Sequence, residues 1–404
     1  MNRDRALLGA ARSTALPIAV MYKNGTINSH RFADIILPGD ANKTNDVLDA
    51  INTYKERTGS TPENVIPLTE MSIIPGLVVA ERYGLPYLSD ETVTLVRDKF
   101  RMKSAFKKQG IPTPNFAEFK TLEELRLLVS EMGFPCVVKP RNAGGSEGVR
   151  MLRNESEIEV CFDVLQQQSR TNKEVYNTEE AMFQVEEFVD APYEVSVEVL
   201  NTPKGRTAVA VTDKYLSPPP YFVELGHVIP SRFSDNARIQ QYALSACEAL
   251  NLDRGMAHVE LKVFENGDAT VIEVNARPGG DNIMDLAERS TGLNLFQLHC
   301  QAFLSDTFDF KETVDISGVS TIAFMQARKG EISKVSAPRS FELESCIKSF
   351  RIWANVGDKS DKWINSHSRQ GAIEYYWPQA EEAYDFEGCY TLAQELAEKY
   401  ISVK

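Results

Sequence analysis

The sequence predicts an α/β chain, α+β in its middle, divided into several domains. Three observations carry this expectation. At 404 residues the chain can hold about two to four domains, each with its own core. Over residues 1–95, short β-like runs alternate with amphipathic helical ones. From Met256 to Asn275, two runs alternate apolar with polar residues around Asn266-Gly267. Asn-Gly between alternating runs is a strong hairpin signal, because a type I′ turn needs φ > 0 at both central positions.

Hydrophobic content of 43% and charged content of 25% are those of a soluble globular protein. The net charge of −13, with no long basic run, argues against a nucleic-acid partner. It leaves room for a compact phosphate ligand held by a few local cations and amides. The six cysteines are scattered with no CxxC pair, which suits a reducing cytosol better than a disulfide framework or a zinc site. No apolar stretch approaches the roughly 18 residues of a membrane span. The first twenty residues, MNRDRALLGAARSTALPIAV, lack a sustained apolar core, so no secretory signal is expected. The expected location is the cytoplasm, with no membrane partner.

Taken in order, Leu16–Met21 reads as a strand, Asn45–Arg57 as a helix and Val65–Pro67 as the start of a second βα unit. Met71–Tyr83 reads as a helix closed by Gly84. No GxGxxG is present, so no dinucleotide site is expected. One helix then runs to Gly110, carrying Lys99, Lys103, Lys107 and Lys108. Leu122–Met132 is a further helix. The strand Pro135–Pro140 ends on Lys139 and runs into the Gly-rich segment Arg141–Gly148. Its glycines free the backbone to approach a ligand and offer amides to phosphate oxygens, although it is not a Walker sequence. Gln166–Glu180 is polar and reads as a surface segment. Strands are expected at Phe183–Val189, Pro192–Leu200 and Thr207–Thr212, with Glu194, Ser196 and Glu198 on one face of the second. A helix follows at Asp235–Leu250. Beyond Asp309, strands near Ser320–Arg328 and Phe350–Asn355 precede a closing helix at Tyr390–Tyr400.

With Asn266-Gly267 as a two-residue loop, Glu260 stands opposite Glu273 and His258 opposite Asn275. Lys262 shares their face and Arg277 lies just beyond, while Val259, Leu261, Val263, Ile272 and Val274 make the core face. Side chains directly opposite on a ladder stand about 4.5–5.5 Å apart, where like charges repel. Two carboxylates and an amide oxygen on one rigid face suit a hard cation such as Mg²⁺ carrying phosphate. A solvated face whose charges are paired by Lys262 and Arg277 is the other reading.

The order VVKP, Gly-rich loop, EEFV, VELK, IEVNARPGG resembles the ATP-grasp superfamily of carboxylate–amine ligases, well over residues 70–305 and only in architecture at the ends. DKFRMK, HVELK and the stretch around ELGHVIPS are most similar to bacterial L-amino-acid ligases, which make dipeptides. The resemblance implies an ATP-grasp fold. Its expected parts are an N-terminal α/β (pre-ATP-grasp) domain at 1–95 and a central subdomain with the Gly-rich loop at 96–190. A subdomain with the metal hairpin at 191–308 and a C-terminal α/β subdomain at 309–404 complete it. Lys99 and Lys139 match the phosphate lysines; Gly144, Gly145, Ser146 and Gly148 match the loop over the β- and γ-phosphates. Glu186, Glu187 and Val189 match the adenine-recognising strand, and Glu194 the ribose carboxylate. Glu260 and Glu273 match Mg²⁺ ligands (with Mn²⁺ an alternative metal), Asn275 a third ligand, and Arg277 the arginine at the acyl phosphate. Glu224 and His227 match positions near the first amino acid's ammonium and carboxylate.

The activity so implied is ATP-dependent joining of two amino acids through an acyl phosphate, and a homodimer is one assembly the resemblance allows. The rivals are another ATP-grasp reaction, such as purine-pathway carboxylation or formyl transfer, and an ATP-binding module without turnover. No biotinyl site of the AMKM type occurs. Asp281 stands where some of these ligases carry a bulky aromatic. Unpaired, it would favour a basic first amino acid; as the N-cap of the helix that follows, it would not meet substrate.

Overall fold

The computed structural model describes residues 3–22, 32–144, 148–171, 182–219, 221–311, 313–339, 343–361, 365–383 and 385–404. Strands β1 (Ala19–Tyr22) and β2 (Ile35–Pro38) pair in parallel in the N-terminal unit. A four-stranded antiparallel sheet has the order β3 (Phe116–Phe119), β6 (Phe183–Glu187), β4 (Cys136–Pro140), β5 (Arg150–Leu152). Its outer face is covered by helices at Leu122–Met132 and Ile158–Thr171, which close a core of Phe119, Leu125, Val138, Phe183 and Val185.

The larger sheet has eight strands, all antiparallel to their neighbours, and joins two parts of the chain. β7 (Tyr193–Thr202), β8 (Gly205–Leu216), β9 (Glu224–Ile229), β10 (Gly255–Val263) and β11 (Ala269–Asn275) supply one side. β12 (Val319–Met325), β14 (Ile347–Ile352) and β16 (Gly371–Trp377) extend it beyond β9. The C-terminal segment therefore shares this sheet rather than building one apart. Only β13 (Gly330–Val335), β15 (Lys359–Ser360) and β17 (Ile401–Val403) form a small separate sheet. On one face of the large sheet Val195, Val197, Val259, Leu261 and Val271 pack against the helix Ala237–Ala249. The opposite face, carrying Glu194, Ser196, His258 and Glu260, turns to the cleft between the two sheets.

The helices expected at Asn45–Arg57, Leu122–Met132 and Asp235–Leu250 form at Thr44–Thr58, Leu122–Met132 and Ala237–Ala249. Other expectations need correction. Val65–Pro67 belongs to no strand, and Val65 and Ile66 instead pack against the core. Residues 166–171, expected as irregular surface, complete a helix, and 172–180 lie outside the described residues.

The long helix before Gly110 is two, Asp90–Arg97 and Lys99–Lys108, broken at Asp98. Asp98 is extended (φ −126°, ψ 104°) and accepts from the amides of Phe100 and Arg101 at 3.0 and 3.2 Å, an N-cap that starts the second helix. Arg141, at the end of β4, clamps the same carboxylate. That break puts Lys99 at a helix start beside the Gly-rich loop.

The hairpin reaches the expected register by another route. Its loop holds three residues, Glu265–Gly267, with only Gly267 left-handed (φ 78°). Ile272 then bulges out, so that Leu261 pairs with Val271 but Glu260 pairs with Glu273 and His258 with Asn275. The extra loop residue and the bulge cancel. Ile272 consequently leaves the core face for the cleft, and Val271 takes its place in the core.

Gly226 on β9 shows how tightly the large sheet is shut: a Cβ there would lie 2.1 Å from the Ile322 carbonyl oxygen and 2.4 Å from the Phe386 ring. Gly226→Ala should lose about 3 kcal/mol of stability, read as a lowered urea midpoint, because neither backbone can yield.

Candidate active site

The two sheets enclose a cleft of ≈ 330 Å³. Lys99, Lys139, Glu186, Glu194, Glu260, Glu273, Asn275 and Arg277 line its length, and Glu224, His227, Asp281 and Arg369 its far end. Cations and carboxylates interlock here. Lys99 Nζ lies 2.9 Å from Glu273 and donates to the Ala143 carbonyl at 2.5 Å. Lys139 lies 2.8 Å from Glu186. Burial opposes its charge, yet Glu186 and Glu273 outweigh burial and raise its pKa. Glu186 is 3% exposed rather than solvated at a strand edge, and its two lysines overcome burial to keep it ionised.

Basic and acidic side chains neighbour one another across the strands of the large sheet's cleft face. Lys262, Glu194, Lys214 and His227 are successive ladder neighbours on β10, β7, β8 and β9. Glu194 sits 3.0 Å from both lysines. Lys214 also lies 2.9 Å from Glu260 and 3.9 Å from Glu224. Burial works against Lys214's charge, but Glu260, Glu194 and Glu224 together hold its pKa well above the usual value. Glu260 in turn is held well below its own, because Lys214 and His258 overcome burial.

At the far end, Ser366 donates to Glu224 at 2.9 Å. Asp281 is not unpaired: Arg369 grips both its oxygens at 2.6 and 2.8 Å, and His227 Nε2 lies 3.3 Å away. Burial raises the Asp281 pKa, but Arg369 outweighs it and keeps the carboxylate ionised. Nor is Asp281 the N-cap of the helix Ile283–Thr291, a position held by Asn282 without a side-chain bond. The argument for a basic first amino acid from a lone Asp281 charge therefore lapses.

Among the other expected residues, Gly144 and Val189 line the cleft, and Gly148 turns the loop with φ 74°. Gly145 and Ser146 lie outside the described residues. Glu187 accepts from Asn115 Nδ2 at 2.9 Å. Arg277 lies 3.7 Å from Glu70 and donates to the Pro278 carbonyl at 2.9 Å.

Several residues escaped the sequence reading. Lys103 is wholly buried, donating to the Ile272 carbonyl at 2.7 Å and lying 3.4 Å from Glu186. Burial pushes its pKa down to about 8. Its spacing of four from Lys99 was the available signal, since such residues share a helix face. Lys214 had only its place at the end of an alternating run. Arg369 and Glu70 come from distant segments and had none.

Among the described residues, no three His, Cys, Asp or Glu side chains converge as a ready-made cage for a metal. Glu260, Glu273 and Asn275 are an all-oxygen set across one ladder, with lysines balancing the two carboxylates. This fits Mg²⁺ arriving on a polyphosphate, which needs only one or two carboxylates from the protein.

The geometry can be set beside known proteins. An ATP-grasp domain model matches residues 132–285. D-alanine–D-alanine ligase of Desulforudis audaxviator is 31% identical over 225 residues, 53% of this chain and 69% of that one. The chain belongs to the ATP-grasp family. Alanine–anticapsin ligase of Bacillus subtilis is 29% identical over 261 residues, 61% of this ATP-grasp chain and 54% of that relative's length. The L-amino acid ligase from Bacillus licheniformis shares the ATP-grasp fold with a TM-score of 0.83 at 22% identity, covering 99% of this chain and 95% of that one. No helix among the described residues is long and apolar enough to cross a membrane.

His258 sits beneath this ATP-grasp site, 2.5 Å from the buried Glu198 and 3.2 Å from Glu260. Burial lowers its pKa, but Glu198 outweighs burial and the value rises to about 9 from 6.5. The folded state therefore binds more protons than the unfolded one between these values, and stability falls as pH rises. The metal-free protein should lose on the order of 2 kcal/mol from this group between pH 6.5 and 8.5. Urea titrations across that range should show a flatter profile for His258→Asn.

Proposed function

We propose that the protein is an ATP-dependent carboxylate–amine ligase that joins two L-amino acids into a dipeptide. The observation that carries this reading is one cleft holding phosphate-type lysines, a cross-strand carboxylate pair and, at its far end, Glu224 with His227. The nucleotide lies along β6 and the Gly-rich loop. Lys99 and Lys139 offset the triphosphate charge once they are drawn from Glu273 and Glu186. Glu194 accepts from the ribose hydroxyls. Bound to Glu260, Glu273 and Asn275, Mg²⁺ would neutralise the phosphate oxygens as charge shifts.

Glu224 takes the first amino acid's ammonium and directs its carboxylate toward Arg277. A carboxylate oxygen attacks the γ-phosphorus, the bond to the ADP oxygen breaks, and an acyl phosphate forms. Arg277 donates to oxygens that gain charge in that step. The second amino acid's amine, having lost a proton, attacks the acyl carbon. The acyl carbon–oxygen bond then breaks and phosphate leaves. Positioning and charge neutralisation supply the catalysis, with no covalent enzyme intermediate.

A nucleotide sensor would be expected to lack the carboxylate pair or the arginine, and this chain has both. With Asp281 engaged by Arg369, Glu224 is the far-end carboxylate, among the described residues, that we assign to a substrate ammonium, and a basic side chain on the first amino acid gains no support from Asp281.

Two measurements test the proposal. Glu273→Gln should cut amino-acid-dependent phosphate release by about 100-fold or more and weaken MgATP binding, with an unchanged circular dichroism spectrum. Near-normal turnover would remove the hairpin from the reaction. Glu224→Ala should raise KM for the first amino acid by about tenfold or more while KM for ATP moves little, since one charge-assisted hydrogen bond is lost. Equal shifts in both constants would count against Glu224 as the ammonium partner.

A further inference from the structure

Glu70 belongs to the N-terminal unit, in the short turn Glu70–Ser72 that precedes the helix Ile73–Tyr83, far in sequence from the cleft residues. It is 9% exposed and stands behind the cleft wall rather than on it. One of its oxygens is bound by Arg97, which is itself buried. Arg97 also donates to the Asn142 carbonyl at 3.0 Å, at the foot of the Gly-rich loop. A Cβ on Gly144 would lie 3.5 Å from Glu70 Cγ, so the loop's first glycine rests against this side chain. The second oxygen, Oε2, is buried and has no hydrogen-bond partner among the described residues. Arg277 Nε is 3.7 Å from it, within ion-pair range and beyond hydrogen-bond range.

We infer that Glu70 is a positioning residue that aims Arg277 at the transferring phosphoryl group, so that the N-terminal unit completes the active site. Three points carry the inference. A buried carboxylate oxygen left without a donor is costly, and Arg277 is the ionic group that faces it. Arg277 Nη1 donates to the neighbouring Pro278 carbonyl, which holds one arm of the fork, and a second hold at Nε is what fixes the guanidinium plane. Arg97 fills the other oxygen of Glu70, so that Glu70 cannot swing away from Arg277. A closing of 3.7 Å to hydrogen-bond length would lock the guanidinium with its remaining donors toward the cleft. Glu70 touches no substrate in this account. It acts through Arg277, and the inference rests on the ligase reading for its kinetic consequence.

The test is a double-mutant cycle of Glu70→Gln and Arg277→Ala with two readouts. Gln keeps the volume and an oxygen for Arg97, so the fold should survive; matching thermal melts check this. In amino-acid-dependent phosphate release, Glu70→Gln should lower kcat by about tenfold or more, leave KM for ATP within about twofold, and add nothing in the Arg277→Ala background. In calorimetry with Mg²⁺ present, the same variant should bind ADP normally but ADP with aluminium fluoride, a mimic of the transferring phosphoryl group, about tenfold more weakly. Effects that multiply in the double variant, or that fall on KM for ATP and on ADP affinity, would overturn the inference. They would assign Glu70 to Arg97 and the loop foot instead. Should the wild type release no phosphate with any amino-acid pair, the ligase reading fails, and the fluoride comparison still decides the role of Glu70.

Discussion

The cleft depends on one constraint: Glu260 and Glu273 are held opposite each other across a ladder, where like charges repel, and their surroundings must compensate. Lys214 answers the first carboxylate and Lys99 the second. Each of those lysines is then tied to another part of the site. Lys214 reaches Glu194 and Glu224, and Lys99 reaches the foot of the Gly-rich loop through Ala143. The two ends of the cleft are therefore linked by charge balance. In the proposed reaction a polyphosphate and its metal would replace these internal pairs with equivalent ones, so that binding exchanges partners instead of exposing bare charges.

The two sheets divide the labour. The large sheet gives a rigid grid on which neighbours across strands fix side-chain order, as in the row Lys262, Glu194, Lys214, His227. The smaller sheet brings Lys139 and Glu186 to the opposite wall. Lys103 spans the gap, joining Glu186 of the small sheet to the bulged Ile272 of the large one. A bulge is where a strand leaves a carbonyl off its ladder, and here that carbonyl receives the buried ammonium. The same bulge sets the register that brings Glu273 to Glu260.

Arg369 and Asp281 make a second compensation at the far end. The segment bearing Arg369 precedes β16, which extends the large sheet, so the C-terminal part of the chain takes part in the pocket wall. The Arg369 guanidinium also stacks over Phe324 at 3.8 Å, a contact that holds its plane while both Asp281 oxygens are engaged. Asp281 is thereby neutralised within the protein, while Glu224 beside it meets Ser366 at 2.9 Å and Lys214 at 3.9 Å.

Local signals in the sequence were enough to place much of the cleft wall. The alternating runs placed Glu260, Glu273, His258 and Asn275 on one face, since a strand's side chains alternate with period two. The strand-end Lys139 and Gly144 after it likewise line the cleft. The loop length was misread, because a three-residue turn and a bulge at Ile272 compensate each other and neither leaves a separate mark in the pattern. What only the tertiary structure decided are pairings between segments far apart in the chain: Glu70 with Arg277, Lys214 with three carboxylates, Asp281 with Arg369. A carboxylate's neighbours within a few residues can be read from periodicity. Whether it is left bare or neutralised depends on which distant cation the folded chain brings within a few ångströms, and no local pattern encodes that.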